Sequence, residues 1–380
     1  MARPRGDRAE KITVTAARLF RERGFHATSI DDIAAAEGIT GGAIYRHVKG
    51  KDDLLAAVCL RGVSRLGERL ATADSLADMV RAGGQAVTCD LDAIMVFLRD
   101  GRLLSPDRRR PLGELSRANN DRLIGAVCAA RADVSRRTAG FMLQSLAGMY
   151  LSLAHFHPAV PRSRIEDIWT AMGTAALLGA PNVAIDVGRS RDVGVTTVRA
   201  SRREAILGEA VALFRRHGFG GVGIDDIGAA AGIAGPAVYR HFDSKDDLLA
   251  TAMTRAGAQL AAGAATALAT PDPLDALIAS YVQIAIDHAD AIAVYLAEVE
   301  SLSPERRRAV RREQRAYVDE WLAVVERLAP AHSPDEARVA VHAAIGMANG
   351  YAEGAVRPPA DATAPVLTGM MSAGLAAFTG

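Results

Sequence analysis

GFHATSIDDIAAAEGITGGAIYRHVKGKDDLL, Gly24 to Leu55, decides how the rest of the chain is read. Ser29 stands just before the apolar residues Ile30, Ile33 and Ala34, and Asp32 follows it by three positions. This capping-box pattern predicts a helix beginning at Ile30. Gly38-Ile39-Thr40 then makes a tight turn into a short helix, GGAIYRH, with Ile44 facing inward while Tyr45 and His47 reach outward. Two short helices across a glycine turn form a helix-turn-helix. Upstream, Ile12, Ala16, Leu19 and Phe20 recur at helical spacing and Gly24 occupies a C-cap position, so a further helix precedes the pair.

The same pattern returns 194 residues later. Arg8 to Leu55 laid over Arg202 to Leu249 without a gap gives 27 identities in 48 positions, including YRH at Tyr45 and Tyr239 and KDDLL at Lys51 and Lys245. Further on the displacement becomes 198: AIMVFL from Ala93 matches AIAVYL from Ala291, and Gly148-Met149 matches Gly346-Met347. Both halves are copies, joined near Pro181 to Ser201, whose Pro, Gly and polar content reads as linker.

Composition narrows the function classes. A chain of 380 residues normally divides into two or more domains, which two near-equal copies satisfy. No apolar run is read as long enough to span a bilayer and no signal-peptide pattern opens the chain, so a cytoplasmic protein without membrane partners is expected. Cys59, Cys89 and Cys128 form neither a metal-ligand pattern nor a disulfide framework; they are expected to be buried free thiols, and no metal or cofactor is implied. The net charge of +1 hides an uneven distribution. Residues 1 to 51 hold ten Lys/Arg against six Asp/Glu and residues 189 to 245 hold nine against six, so positive charge gathers around both copies of the repeat, as a phosphate-binding footprint requires. An all-helical enzyme finds no support, since no Gly-rich loop follows a strand and no HExxH, CxxC or nucleophile-elbow context occurs.

With these motifs the sequence resembles the TetR family of transcriptional regulators. That family's DNA-binding domain is a three-helix unit with a GF turn, a T-S/T-[IV] start to the second helix and a Y-x-H-F/V-x-x-K-x-x-L signature. The resemblance covers about 48 residues in each half. It implies an all-α chain of two fused TetR-like repeats: helix-turn-helix domains at residues 1–52 and 202–246, helical ligand and dimerisation domains at 53–180 and 247–380, and a linker at 181–201. By motif position, Tyr45, His47, Lys51, Tyr239, His241 and Lys245 become phosphate clamps on a double-stranded DNA operator. Thr40, Gly41, Gly42 and Ala43, with Ala234, Gly235, Pro236 and Ala237, become the base-facing positions. Thr28, Ser29 and Lys49 add two hydroxyls and a charge that could meet phosphate, and their counterparts are Val222, Gly223 and Asp243; the first head is therefore expected to hold DNA more strongly. The alternative for Tyr45 is a packing role, and for Lys51-Asp52-Asp53 the solvated start of the next helix.

Past Leu55 and Leu249 the chain reads as helical throughout. In the family this region holds a small-molecule pocket, and its last two helices form a four-helix bundle with a second subunit. The corresponding segments here are Val134 to Phe156 with Ile165 to Leu178, and Asp335 to Glu353 with Ala364 to Phe378. Small residues, Ala147-Gly148 and Ala343 to Gly346, favour close helix approach. With both partners in one chain, the bundle is expected to close internally as a pseudo-dimer and the free protein to be monomeric. Candidate ligand residues in the second half are Tyr281, His288, Tyr295, Glu298, Tyr317, Trp321 and Tyr351; the first half has Asn119 and Leu123 where Tyr317 and Trp321 align. The Arg-rich turns Arg108 to Arg110 and Arg306 to Arg308 read either as a charged face paired with nearby Glu or as a site for an anion such as a CoA phosphate. The layout resembles tandem TetR-type regulators of lipid and sterol uptake or catabolism genes, which implies a repressor with an acyl-CoA or steroid-like effector. The contrasting reading is a helical ligand-binding or scaffold protein that has lost DNA binding.

Overall fold

Apolar residues at three- and four-residue spacing, interrupted by Gly and by Ser-Pro, become helices. The computed structural model describes residues 5–185, 201–354 and 356–380, and among these there are α-helices, short 3-10 turns and no strand. Two compact units divide the chain, Met1–Ala130 and Arg131–Gly380.

The first unit holds α1 (Arg5–Arg23), α2 (Ile30–Ala36), α3 (Gly41–Ile44), α4 (Lys51–Ala71), α5 (Leu76–Asp100) and α6 (Pro106–Ala130). Ile12, Ala16, Leu19 and Phe20 of α1 are buried against Ile33, Ile44, Leu54, Leu55 and Val58, so the stripe read from sequence is the core of the head. α5 leaves helical geometry at Asp90 (φ −134°, ψ 31°), whose buried carboxylate accepts a hydrogen bond from Arg61 Nε at 2.6 Å. Of the three cysteines only Cys59 is buried, with burial pushing its thiol up to about 12; Cys89 is exposed and Cys128 half-buried, which corrects the expectation for those two.

The second unit begins with α7 (Arg136–Leu151) and α8 (Arg162–Gly179). It continues with α9 (Arg202–His217), α10 (Ile224–Ala230), α11 (Gly235–Val238), α12 (Lys245–Leu268), α13 (Pro273–Asp287), α14 (Ala289–Glu298), α15 (Pro304–Leu328), α16 (Pro334–Glu353) and α17 (Ala360–Thr379). α9 to α12 repeat the head, with Ile206, Phe214, Ile227, Val238, Phe242 and Leu248 in its core. α13 and α14 meet at a sharp bend of 88° at His288 (φ −120°, ψ 29°), which is 198 positions after Asp90 and shares its backbone conformation. The duplication therefore preserved a bend even though the residue at the bend changed.

α7 and α8 pack with α16 and α17 as a four-helix bundle, so the boundary between units falls at 130 and 131, ahead of α7. The linker read at 181–201 is described only at its ends; residues 186–200 lie outside the described residues. Gly148 of α7 and Gly346 of α16 lie against each other's backbone. A Cβ on Gly346 would sit 2.5 Å from Gly148 O, and a Cβ on Gly148 would sit 2.6 Å from Gly350 N. Only glycine permits this approach. α17 is long and apolar enough by composition to cross a membrane, but Val366, Leu367, Met370, Met371 and Leu375 are fully buried, as in a core helix.

Candidate nucleic-acid interface and effector region

In each head the second helix opens on a local cap. At α2, Ser29 Oγ accepts from Asp32 N at 3.0 Å and the Asp32 carboxylate accepts from Ser29 N at 2.7 Å. These bonds from the Ser29 hydroxyl and N–H hold the Asp32 carboxyl below its usual range. Ser29 is thus exposed but occupied as a cap. At α10 the hydroxyl is missing, yet half of the box survives, since Asp226 Oδ2 still accepts from Gly223 N at 2.8 Å.

The turn between the paired helices is a Schellman motif. Ile39 N donates to Ala34 O at 2.9 Å and Gly38 N to Ala35 O at 3.1 Å, with Gly38 at φ +65°; Ile233, Gly228, Gly232 and Ala229 repeat this, with Gly232 at φ +70°. That backbone favours glycine. The turn sends α3 and α11 outward, leaving Tyr45 58% and Tyr239 55% exposed, far beyond what a packing role needs. Thr40, Gly42, Lys49, Ala234 and Pro236 are also exposed, and Ala43, Ala237, His47 and His241 half-buried. Arg46 and Arg240 are exposed beside the two tyrosines and were missed by motif matching. Their signal was present in the sequence as a cation next to the outward aromatic in both copies of YRH.

Five expected contacts are placed in ways the sequence did not show. Thr28 is fully buried, and its hydroxyl donates to Gly24 O at 2.9 Å and Leu19 O at 3.3 Å, so it pins the turn after α1 and does not meet phosphate. Val222 fills the same buried place in the second head. Gly41 and Gly235 lie at the close α2–α3 and α10–α11 junctions: a Cβ on Gly41 would meet the Asp31 carboxylate and one on Gly235 would meet both the carboxylate and the Cα of Asp225, and Gly235 is buried. The lysines at the start of α4 and α12 are half-buried with bonds of their own. Lys51 Nζ donates to His26 O at 3.2 Å and lies 4.4 Å from the Phe25 ring centroid. Lys245 Nζ is held more firmly, by Phe219 O and Val222 O, both at 2.8 Å, and lies 4.2 Å from the Phe219 ring centroid.

The Arg-rich turns resolve as paired charge. Arg108 pairs with Asp53, Arg110 with Glu114 at 3.0 Å, Arg307 with Glu300 at 3.3 Å, and Arg306 with Asp246 at 3.2 Å and Asp247 at 2.5 Å. Arg108 and Arg306 tie the N-termini of α6 and α15 to those of α4 and α12. Of the candidate ligand residues, Tyr281, Tyr317 and Trp321 come together, with ring centroids 6.0 to 6.5 Å apart. Tyr281 donates its hydroxyl to Asn349 Oδ1 at 2.7 Å, and the buried indole N–H of Trp321 has no protein acceptor in good geometry. Burial pushes the Tyr281 hydroxyl well above its ordinary range. Tyr351 sits apart from this group, edge-on to Phe141 at 6.4 Å. His288 is half-buried at the bend. Tyr295 and Glu298 leave the candidate pocket: Tyr295 packs against the core of the second head, and Glu298 accepts from Phe219 N at 3.0 Å and from Ser301 Oγ at 2.8 Å. Among the described residues no group of three or more potential metal ligands occurs.

The heads and the region beyond them match known families. The model described as bacterial regulatory proteins, tetR family, matches residues 12–58 and again 206–252, and the tetracyclin repressor-like C-terminal domain matches 269–353. The HTH-type transcriptional repressor KstR2 of Rhodococcus jostii is 31% identical over 143 residues, 35% of this chain and 69% of that protein. The uncharacterized HTH-type transcriptional regulator YerO of Bacillus subtilis is 45% identical over 53 residues, 14% of this chain and 18% of its own. Three such relatives are matched over 18%, 27% and 29% of their length. The crystal structure of the TetR family regulator PfmR from Thermus thermophilus is 22% identical with a TM-score of 0.41, covering 45% of this chain and 97% of that one.

Proposed function

Because the chain belongs to the TetR family of bacterial transcriptional regulators, we propose that it binds an imperfect palindromic operator as a single-chain pseudo-dimer and acts as a cytoplasmic repressor released by a small hydrophobic effector. The observation that carries this is the α7–α8–α16–α17 bundle, in which one polypeptide supplies all four helices that a two-fold dimer otherwise assembles from two subunits. The exposed positions at the two turns differ, Thr40 and Gly42 against Ala234 and Pro236. Thr40 offers a hydroxyl and a methyl where Ala234 offers only apolar contact, which favours different bases in the two half-sites. A repressor sign accords with the name of the relative from Rhodococcus jostii. An acyl-CoA or steroid-like effector accords with the buried Tyr281–Tyr317–Trp321 group, where the indole N–H without an acceptor would donate to an oxygen on the acyl or steroid portion of the molecule.

Sedimentation equilibrium of the free protein, combined with mobility shift on its operator, tests the reading. A particle of about 40 kDa that forms a salt-sensitive complex at one chain per operator is expected. A stable particle of twice that mass held through α16 and α17 removes the pseudo-dimer, and no specific salt-sensitive complex removes the DNA-binding role. Titration with acyl-CoA and steroid series, read as DNA release and Trp321 fluorescence, tests the effector class.

A further inference from the structure

The two sides of the bundle are related by the displacement of 198, which also relates Pro161 and Pro359, the N-caps of α8 and α17. A self-complementary interface would repeat each contact on both sides. Here the contacts at corresponding places differ. On one side Gln144 of α7 lies over Gly354 and donates through Nε2 to Gly350 O at 3.1 Å and Val356 O at 3.0 Å. A Cβ on Gly354 would reach 2.5 Å from Gln144 Oε1 and closer still to its Nε2, so a side chain there must displace the Gln144 amide from its two carbonyl partners. On the other side the corresponding residues are His342 and Phe156, and their rings stack at 4.0 Å with 9° between planes. His342 is buried there. A second difference lies near the helix starts. Arg164 of α8 pairs with Glu336 of α16 and approaches His332 Nδ1 at 3.3 Å, while the corresponding residues are Ala362 and Thr138, which cannot form an ion pair.

We propose that these three pairs make the α7–α8 face specific for the α16–α17 face and hostile to a copy of itself, so that each half of the chain selects the other half as its partner. Facing two first halves would set Phe156 against the Gln144 amide, costing it both carbonyl partners, and would leave Arg164 opposite Thr138. Facing two second halves would set His342 over Gly354, which provides no ring, and Glu336 opposite Ala362. One like pairing fails by overlap and by an unmatched cation, the other by a void and by a carboxylate without its guanidinium. Specificity of this kind needs the repulsive element as well as the attractive one.

The inference rests on the single-chain reading of the bundle, and single substitutions in the full chain reproduce each forbidden pairing. Gly354→Phe puts Phe opposite Gln144, as two first halves would. Phe156→Gly puts Gly opposite His342, as two second halves would. Each is expected to lower the melting temperature by roughly 5 °C or more. Gln144→His added to Gly354→Phe recreates the stacked pair and is expected to recover at least half of that loss. The readouts are thermal melting by circular dichroism and sedimentation velocity. Gly354→Phe melting like the parent overturns the proposal, as does a double variant that melts or misfolds no differently from Gly354→Phe alone. A parent chain that sediments at twice its mass while the rescue succeeds sinks the single-chain reading and leaves the pairing specificity standing, because two exchanged chains would use the same unlike contacts.

Discussion

Gly148→Ala adds one methyl group at the crossing of α7 and α16, and the geometry sets what it should cost. The new Cβ would stand 2.6 Å from Gly350 N and 2.8 Å from Gly350 Cα, both main-chain atoms that no rotamer change can move aside. Relief to ordinary contact requires the two helices to part by roughly 1 Å, a gap that forfeits a quarter to a half of the attraction between the atoms lining it. Overpacking of this kind costs about 1–3 kcal/mol, and a backbone obstacle places it near 3. Alanine also improves the helix itself by about 1 kcal/mol, leaving a net loss of about 2 kcal/mol. For a unit of this size that is a fall in melting temperature of roughly 4–8 °C. Gly125→Ala in α6 supplies the comparison, because a Cβ there meets nothing within 4 Å. It should only gain the helical term, about 1 kcal/mol. Differential scanning calorimetry on both variants measures the contrast. If Gly148→Ala melts at or above the parent temperature, the close crossing of α7 and α16 is wrong, and with it the argument that the bundle is closed by glycine.

Three other outcomes follow from the heads and the bundle. Asp243→Lys replaces an exposed carboxylate beside the second head's contact surface with the charge that Lys49 carries in the first, so operator binding should tighten and the salt slope steepen by about 1; an unchanged slope would place position 243 away from phosphate. Thr28→Val should leave operator affinity unchanged while costing about 1 kcal/mol of stability, whereas Tyr45→Ala should weaken binding more than Tyr239→Ala; filter binding and urea melts separate the two kinds of effect. His342 is held down to about 4 by burial, with Arg338 and His155 adding repulsion, so below pH 6.5 the unfolded chain takes up a proton that the folded chain refuses. Stability should therefore be fully present above pH 6.5 and lost by ~3 kcal/mol as pH falls toward 4, and His342→Gln should flatten that limb of the melting profile.

What was legible in the sequence was whatever depends on short-range pattern. The Schellman turn at Gly38, the cap at Ser29 and the inward Ile44 all follow from residues within a few positions of each other, and each appears where expected. The bundle helices were placed through the family resemblance, and the small residues around Gly148 and Gly346 marked where they approach. Thr28 was misread because hydroxyl chemistry does not say which way a side chain points; its neighbours Phe25 and Leu19 bury it. Glu298 and Tyr295 were misread for a related reason. They were named with Tyr281 as polar and aromatic residues on apolar helices, but the bend at His288 turns α14 toward the head, and no residue type near His288 announces a bend. Gly41 looked like a base-facing residue and is a spacer, a distinction that depends on how close α2 and α3 approach.

The differences between the halves have a common physical origin. In a dimer of identical subunits every substitution at the interface appears twice, so a contact must be good for both partners at once. Once the two subunits share a chain, His342 can take a ring partner while Gln144 takes two carbonyls, and neither has to satisfy the other's surroundings. The same freedom acts on the heads. Lys245 is tied to two carbonyls and Lys51 to one, Gly223 caps α10 without a hydroxyl, and Asp243 stands where the first head has Lys49. Each head keeps what folding requires, namely the left-handed turn glycine, the buried Ile or Val after it and the spacer glycine. What has drifted is exposed chemistry.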